Sequence, residues 1–190
     1  MRRLTGIQGG PGSYHEQAAG LLCPDNELHY FDTFVALFDA LRSGHTDTIV
    51  CAVSNTLIGP IKESNVELAT LKGKYRKLGN TSLLICHSLL GIKGSTLLDI
   101  RYVYSQQPAL DQCMKFLDTL PDVKLIAAED TALSAKYVAE ANNPANAAIA
   151  SAAAGELYNL IPLATNIQDM ENNRTDFIEI ELIDNIRTGI

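Results

Sequence analysis

Short polar residues follow several apolar runs of this sequence, at points where a strand would end and a helix would begin. They occupy residues 9–13, 54–56, 105–107 and 129–131, and position 151. In open parallel sheets, ligands bind beyond the carboxyl ends of the strands. The free N–H groups of helix N-termini at that edge suit carboxylate or phosphate groups. The pattern indicates a site for a small organic anion, although ordinary helix capping explains any one of these segments taken singly.

The glycine-rich segment at residues 9–12 lacks the features of a nucleotide site. Its order, Gly-Gly-Pro-Gly, is neither the GxGxxG dinucleotide fingerprint nor a P-loop, which would end in Lys-Ser or Lys-Thr. Metal and redox sites have no support either, because the cysteines are far apart and no histidine stands at ligand spacing. We expect no cofactor and no metal. The cysteines are expected to be small buried hydrophobic residues: Cys23, Cys51, Cys86 and Cys113.

The elements that would position these residues alternate between strands and helices. Apolar runs predict strands at residues 4–8, 48–53, 83–86, 102–104, 124–127 and 147–150, and a period of two predicts a half-exposed strand at 177–183. Helical composition or spacing marks residues 14–22, 34–41, 108–120, 131–141 and 151–158. This alternation is typical of an α/β fold with mostly parallel sheets.

Charge and hydropathy narrow the range of partners. The chain has 15 Lys and Arg against 22 Asp and Glu, a net charge of -7, and no basic block. That distribution argues against a nucleic-acid partner. No stretch approaches the roughly 18 apolar residues of a membrane span. We therefore expect a cytoplasmic protein that contacts neither nucleic acid nor membrane.

Six segments, in order along the chain, resemble motifs of the prephenate dehydratase family. Residues 8–14 (Gln-Gly-Gly-Pro-Gly-Ser-Tyr) look like its opening glycine loop, and residues 53–59 (Val-Ser-Asn-Thr-Leu-Ile-Gly) resemble its Ile-Glu-Asn-Ser-x-x-Gly segment. Residues 105–113 (Ser-Gln-Gln-Pro-Ala-Leu-Asp-Gln-Cys) are similar to Ser-His-Pro-x-x-Leu-x-Gln-Cys, shifted by one residue around the proline. Residues 129–132 resemble Glu-Ser-Thr-Ala, and residues 147–151 resemble the block after it. Residues 173–177 (Asn-Arg-Thr-Asp-Phe) stand where the family has Asn-x-Thr-Arg-Phe.

The resemblance implies a two-lobed α/β catalytic domain with a periplasmic-binding-protein-like architecture, mostly parallel sheets and an interlobe cleft that holds the site. The first lobe is expected to be discontinuous, with residues 1–78 plus 163–190, and residues 79–162 are expected to form the second lobe. The chain ends soon after the strand at Phe177. The ACT regulatory domain common in the family, and feedback control by phenylalanine through it, are therefore expected to be absent. The resemblance also implies a homodimer.

The implied reaction converts prephenate to phenylpyruvate with loss of water and carbon dioxide. Such a site must bind a small-molecule dicarboxylate and hydrogen-bond or protonate the departing hydroxyl. In the family the threonine of the Thr-Arg-Phe segment serves that hydroxyl, and Thr175 stands at its position. The implied substrate-binding residues are Gly12, Ser13, Asn55, Thr56, Ser105, Gln112, Glu129, Asn173 and Phe177.

Several motif positions differ from the family pattern. Ser54 replaces Glu, Thr56 replaces Ser, Gln106 replaces His and Asp176 replaces Arg. A carboxylate about 4 Å from a bound carboxylate costs on the order of 1 kcal/mol in water, so Asp176 would oppose a dicarboxylate that it faced. In an extended strand, however, Thr175 and Phe177 point to one face while Arg174 and Asp176 point to the other, where their charges would partly neutralise each other.

His15 stands where the family has Ser, just inside a predicted helix. We expect it to face solvent, with a hydrogen bond to a substrate carboxylate as the alternative.

Three functions stay open on these residues. The first is a dehydratase-type lyase acting on prephenate or on an altered substrate. The second is a prephenate decarboxylase-like enzyme that retains the hydroxyl, although the presence of Thr175 favours dehydration. The third is a catalytically silent protein that binds a small acid, which the loss of the glutamate at Ser54 supports.

Overall fold

The computed structural model of the protein describes residues 2–183. Its helices are α1 (Tyr14–Leu22), α2 (Phe34–Arg42), α3 (Lys62–Thr70), α4 (Gln107–Asp111), α5 (Met114–Leu117), α6 (Thr131–Ala141) and α7 (Ala152–Leu157). Its strands are β1 (Leu4–Gln8), β2 (Glu27–Phe31), β3 (Thr48–Asn55), β4 (Gly59–Pro60), β5 (Tyr75–Leu84), β6 (Ser88–Gly91), β7 (Tyr102–Gln106), β8 (Lys124–Ala128), β9 (Asn146–Ala150), β10 (Ile161–Thr165) and β11 (Arg174–Leu182).

The described chain divides into two compact units, and the first of them is discontinuous. The first unit contains residues 2–10, 14–84 and 173–183, and the second contains residues 11–13 and 85–172. The sequence prediction put the boundaries after residues 78 and 162. They lie later in the structure because β5 stays in the first sheet through Leu84 and β10 pairs with β6 in the second. Residues 184–190, which the prediction assigned to the first lobe, lie outside the described residues.

The first unit is built on a mixed sheet with the strand order β2-β1-β3-β11-β5, and β4 pairs with β3 off this path. Strand β1 runs parallel to β2 and β3, whereas β11 runs antiparallel to β3 and β5. Helix α1 packs on one face, where the core includes Ala52 and Phe177. Helices α2 and α3 pack on the other, where the core includes Cys51 and Ile180. The apolar run of β3 is thus covered on both faces, as its sequence predicts.

The second unit has its own sheet with the order β10-β6-β9-β7-β8. Strand β7 runs parallel to β8 and β9, whereas β6 runs antiparallel to β9 and β10. Helices α4 and α5 pack on one face around Val103 and Leu110. Helices α6 and α7 pack on the other, where the small side chains of Ala135, Ala148 and Ala154 allow close approach.

The α/β class with helices on both faces of two sheets is confirmed, but the sheets are mixed rather than mostly parallel. Parallel neighbours need a crossover connection, which the βαβ runs of each unit supply. Strands β6 and β11 enter their sheets without such a helix and pair antiparallel. None of the helices within residues 2–183 is both long and apolar enough to span a membrane.

Three predicted elements differ from the structure. The helix expected at 108–120 is split into α4 and α5 by Cys113, at φ -121° and ψ 17°. The carbonyl of Gln112 there accepts a hydrogen bond from the Asp169 amide at 2.7 Å. The strand expected at 83–86 is the end of the longer β5, and β6 begins only at Ser88. Strand β11 is more buried than expected because it lies between β3 and β5.

Candidate active site

Thr175 lies at the start of β11, directly opposite Asn55 at the end of β3. Its hydroxyl oxygen accepts a hydrogen bond from Asn55 Nδ2 at 2.9 Å. The same Nδ2 group donates to Asn173 Oδ1 at 2.7 Å. Three of the residues predicted for the site therefore form one hydrogen-bonded group. Because the Thr175 oxygen accepts this bond, its own hydrogen is available to be donated.

Asn55 is held firmly in this position. Its Oδ1 atom accepts hydrogen bonds from the amides of Leu57 and Ile58, at 2.9 and 3.2 Å. With both ends of its amide engaged and its side chain buried, Asn55 has one orientation that satisfies all of these partners. It therefore presents a fixed donor to Thr175.

Thr56 extends the pairing of β3 with β11 by one residue. Its amide donates to the Arg174 carbonyl, and its hydroxyl oxygen accepts from the Arg174 amide, both at 2.9 Å. Thr56 is exposed, and this contact binds the segment just before Thr175. The predicted substrate-binding residue thus also has a structural role in the neighbouring backbone.

Two departures from the family motifs, Ser54 and Asp176, are direct partners. They are opposite each other in the register of β3 and β11, and Ser54 Oγ donates to Asp176 Oδ2 at 2.7 Å. Hydrogen bonds from Ser54 and, to a smaller extent, from Ser82 hold the pKa of the Asp176 carboxyl below its usual value of 3.8. The positive charge of Arg174 lowers this pKa further. Since Asp176 and Thr175 are consecutive in a strand, they point to opposite faces. The reversed charge at Asp176 is therefore turned away from the Thr175 hydroxyl, in agreement with the prediction from strand alternation.

His15 is buried, and the expectation that it faces solvent is wrong. Its Nε2 atom accepts a hydrogen bond from the Ala52 amide at 3.2 Å. Its ring meets those of Phe34 and Phe177 edge to face, at centroid distances of 5.6 and 5.1 Å. Burial lowers the pKa of His15 to about 4, so the ring is neutral at pH 7. The α1 sequence gave no sign of this, because the partners come from α2, β3 and β11.

Phe177 was predicted to bind substrate, but the structure places it in the core. Only 1% of its surface is exposed, and it packs with Ala52 and the His15 ring under α1. It shares a face of β11 with Thr175, so its burial anchors the strand that carries the hydroxyl. Phe177 is a packing residue in this structure.

Within the second unit, Gly12 of the glycine loop is bound to the start of α7. Ser151 caps that helix by accepting a hydrogen bond from the Ala154 amide at 3.1 Å, and its hydroxyl donates to the Gly12 carbonyl at 2.8 Å. Gly12 has φ +86°, and a Cβ atom there would lie 2.9 Å from the Ala154 Cα. Both conditions require glycine. Ser13, next to it, is buried.

The other predicted residues of the second unit are not brought into one group by the contacts of the described chain. Ser105 is fully buried and donates to the Ile149 carbonyl at 2.6 Å, so it ties β7 to β9 rather than facing a ligand. Glu129 is exposed in the bend after β8. The polar segment around it also contains Asp130, which caps α6 through the Leu133 amide. Helix capping thus explains why part of that segment is polar.

Gln112 contacts a histidine that the sequence reasoning did not single out. His87 Nε2 donates to Gln112 Oε1 at 3.3 Å. His87 is buried, and this burial lowers its pKa, although the bond to Gln112 opposes the effect. The two residues are 25 positions apart, and no spacing rule connects them. Within residues 2–183 no group of three or more His, Cys, Asp or Glu side chains is placed to hold a metal ion.

Comparison with known proteins assigns the chain to a family. A sequence model described as prephenate dehydratase matches residues 5–184. Arogenate dehydratase/prephenate dehydratase 1 of Arabidopsis thaliana is 37% identical over 172 residues, which are 90% of this chain and 43% of that protein. The chain thus spans less than half the length of this curated relative.

Solved structures show the same fold. The prephenate dehydratase of Arthrobacter aurescens, in complex with L-Phe, has a TM-score of 0.85 at 23% identity, covering 95% of this chain and 60% of that one. A protein described as a novel type of quorum quenching acylase, GqqA, has a TM-score of 0.81 at 29% identity, covering 94% and 64%. The lipoprotein Tp32 from Treponema pallidum has a TM-score of 0.54 at 10% identity, covering 98% and 86%. The family match extends over nearly all of the described residues, and the chain belongs to the prephenate dehydratase family.

Proposed function

We propose that this chain catalyses the dehydration and decarboxylation of prephenate to phenylpyruvate. The observation that carries the proposal is the Thr175 hydroxyl, which accepts from the fixed Asn55 amide and keeps its hydrogen for a substrate oxygen. In the reaction the bond to the ring carboxylate breaks and carbon dioxide leaves. Its electron pair enters the ring, the hydroxyl departs as hydroxide, and one proton from solvent converts it to water.

The chemical demand on such a site is modest because the ring becomes aromatic as the hydroxyl leaves. A threonine hydroxyl is too weak an acid to transfer its proton fully, so Thr175 acts by hydrogen-bonding the oxygen on which negative charge develops. A fixed donor is most effective there, because it needs no reorganisation during the reaction. His15 is neutral, and the Asp176 carboxylate bonds to Ser54 on the other face, so neither places a charge beside the Thr175 hydroxyl.

Arogenate is the second candidate substrate. It differs from prephenate in carrying an amino group in place of the side-chain keto group, and the same loss of water and carbon dioxide yields phenylalanine. The Arabidopsis relative at 37% identity is named for both substrates, which is the observation in favour of arogenate.

The test is turnover by the purified protein with each substrate separately. Formation of phenylpyruvate, followed by its absorbance, supports the prephenate reaction, and formation of phenylalanine supports the arogenate reaction. A decarboxylated, non-aromatic product would instead identify a decarboxylase. Recovery of both substrates unchanged, with binding detected by calorimetry, would identify a silent small-acid-binding protein and overturn the proposal.

A further inference from the structure

Asp176 lies at the centre of three adjacent strands. It is opposite Ser54 of β3 on one side and opposite Ser82 of β5 on the other. Ser54 Oγ donates to its carboxylate at 2.7 Å, and Ser82 also hydrogen-bonds to it. Arg174, two residues earlier in β11, donates from Nε to Ser82 Oγ at 3.1 Å and from a terminal nitrogen to the Ser82 carbonyl at 2.9 Å. A single carboxylate thus links β3, β11 and β5, and we call Ser54, Asp176 and Ser82 the cross-strand clamp.

The clamp lies where the pairing of the strands is irregular. Asp176 is opposite Ser54, but Phe177 is opposite Ala52, so Val53 is an extra residue in β3. The Val53 carbonyl is occupied elsewhere, accepting from the Ile61 amide at 3.0 Å and from Asn65 Nδ2 at 2.7 Å. A bulge of this kind bends its strand and weakens the local ladder. The register immediately beside Thr175 therefore depends on side-chain bonds.

The clamp and the candidate catalytic group occupy opposite faces of the sheet, at neighbouring cross-strand pairs. Asn55 and Thr175 form one cross-strand pair, and Ser54 and Asp176 form the next. Because adjacent residues of a strand point to opposite faces, Asp176 cannot touch what the Thr175 hydroxyl touches. Any effect of Asp176 on the reaction must pass through the backbone that it holds.

We propose that Asp176 is a positioning residue, and that its clamp with Ser54 and Ser82 fixes the Thr175 hydroxyl opposite Asn55. The two departures from the family motifs are on this account one coupled change. The Glu and Arg of the family pattern stand at the positions of Ser54 and Asp176, which are cross-strand partners here. Here the donor, Ser54, stands on β3 and the acceptor, Asp176, stands on β11.

The kinetic test rests on the proposed function, and it compares Asp176→Asn with a matched control. Asp25→Asn makes the same charge change at an exposed turn residue before β2. A displaced donor acts mainly in the transition state, so we expect Asp176→Asn to lower kcat by on the order of tenfold with little change in KM. Asp25→Asn should leave both unchanged. A loss of stability in Asp176→Asn without any change in kcat would mean that the clamp is merely structural, and would overturn the inference.

A charge swap tests the coupling directly. Ser54→Glu alone places two carboxylates opposite each other across β3 and β11. Asp176→Arg alone leaves an arginine with no carboxylate opposite it. Each single variant should lower kcat. The double variant Ser54→Glu/Asp176→Arg should recover kcat to within about threefold of the wild type, since contacting residues are not additive. A double variant whose fold-loss in kcat equals the product of the two single fold-losses would contradict a coupled pair.

A spectroscopic measurement keeps the inference testable without turnover. The γ-methyl resonance of Thr175, in methyl-labelled protein at pH 7, should shift in Asp176→Asn and stay in place in Asp25→Asn. If the wild type turns over neither substrate, the proposed function fails, while a shifted Thr175 resonance still supports the clamp. An unshifted Thr175 resonance in Asp176→Asn overturns the clamp whatever the activity.

Discussion

In the proposed reaction, the Thr175 hydroxyl acts through its fixed position. Its oxygen is bound by Asn55, which is itself held by the amides of Leu57 and Ile58. A hydrogen-bond donor held in this way can stabilise the transition state more than the bound substrate. At the residue scale, the proposed reaction therefore depends on a chain of hydrogen bonds between uncharged groups.

The buried His15 ring makes the free energy of unfolding depend on pH. Its pKa is about 4 in the folded chain and 6.5 when exposed, because burial penalises the charged ring. Between these values the unfolded chain binds the extra proton, so stability falls as the pH falls. The total loss between pH 6.5 and 4 is about 3 kcal/mol, at about 1.4 kcal/mol for each pKa unit.

The check is chemical denaturation of His15→Gln, which keeps an acceptor but does not titrate, over that pH range. Its unfolding free energy should depend less steeply on pH than that of the wild type. His45→Gln, at an exposed histidine, should follow the wild type. Parallel curves for His15→Gln and the wild type would contradict the buried neutral ring.

At the scale of the elements, the glycine loop and α7 depend on each other. Gly12→Ala combines a left-handed φ of +86° with a contact of 2.9 Å to the Ala154 backbone. Gly44→Ala is the matched control, since Gly44 has φ +72° and nothing within 4 Å of the added atom. We expect Gly44→Ala to cost about 1 kcal/mol and Gly12→Ala to cost at least about 2 kcal/mol, because overpacking adds to the backbone strain.

Urea denaturation of the two variants measures this difference. Equal losses would show that the loop relaxes away from α7 at no cost, and that the contact with Ala154 does not define its conformation.

The local signals of the sequence predicted several elements well, but not the contacts between them. The apolar run of β3 and the helical spacing of α2 are local features, and both appear in the structure. The pairing of Asn55 with Thr175 joins residues 120 positions apart and depends on a bulge at Val53 that no periodicity reveals. The strand alternation of Thr175 and Asp176 was predictable, whereas the hydrogen bond from Ser54 required the register.

At the scale of the whole molecule, the resemblance placed the family and the α/β class correctly, because six ordered motifs constrain a fold more than any one of them. It was less informative for individual residues. Ser105 and Phe177 stand at motif positions, yet both are buried within the packing of their own units. At these two motif positions the side chain packs within the fold.

The homodimer implied by the resemblance stays a prediction. Size-exclusion chromatography with light scattering at micromolar concentration should give twice the chain mass of 20.6 kDa. A species of the chain mass alone at that concentration would contradict it.

The most direct test of the central claim is the steady-state kinetics of Thr175→Ala with prephenate and arogenate. Removal of the hydroxyl should lower kcat by about a hundredfold to a thousandfold, as for the loss of one fixed donor to a developing oxyanion. Thr175→Ser keeps the oxygen and should stay within about tenfold of the wild type, and Thr165→Ala, at an exposed strand threonine, should be unaffected. Full activity of a folded Thr175→Ala variant would contradict the account.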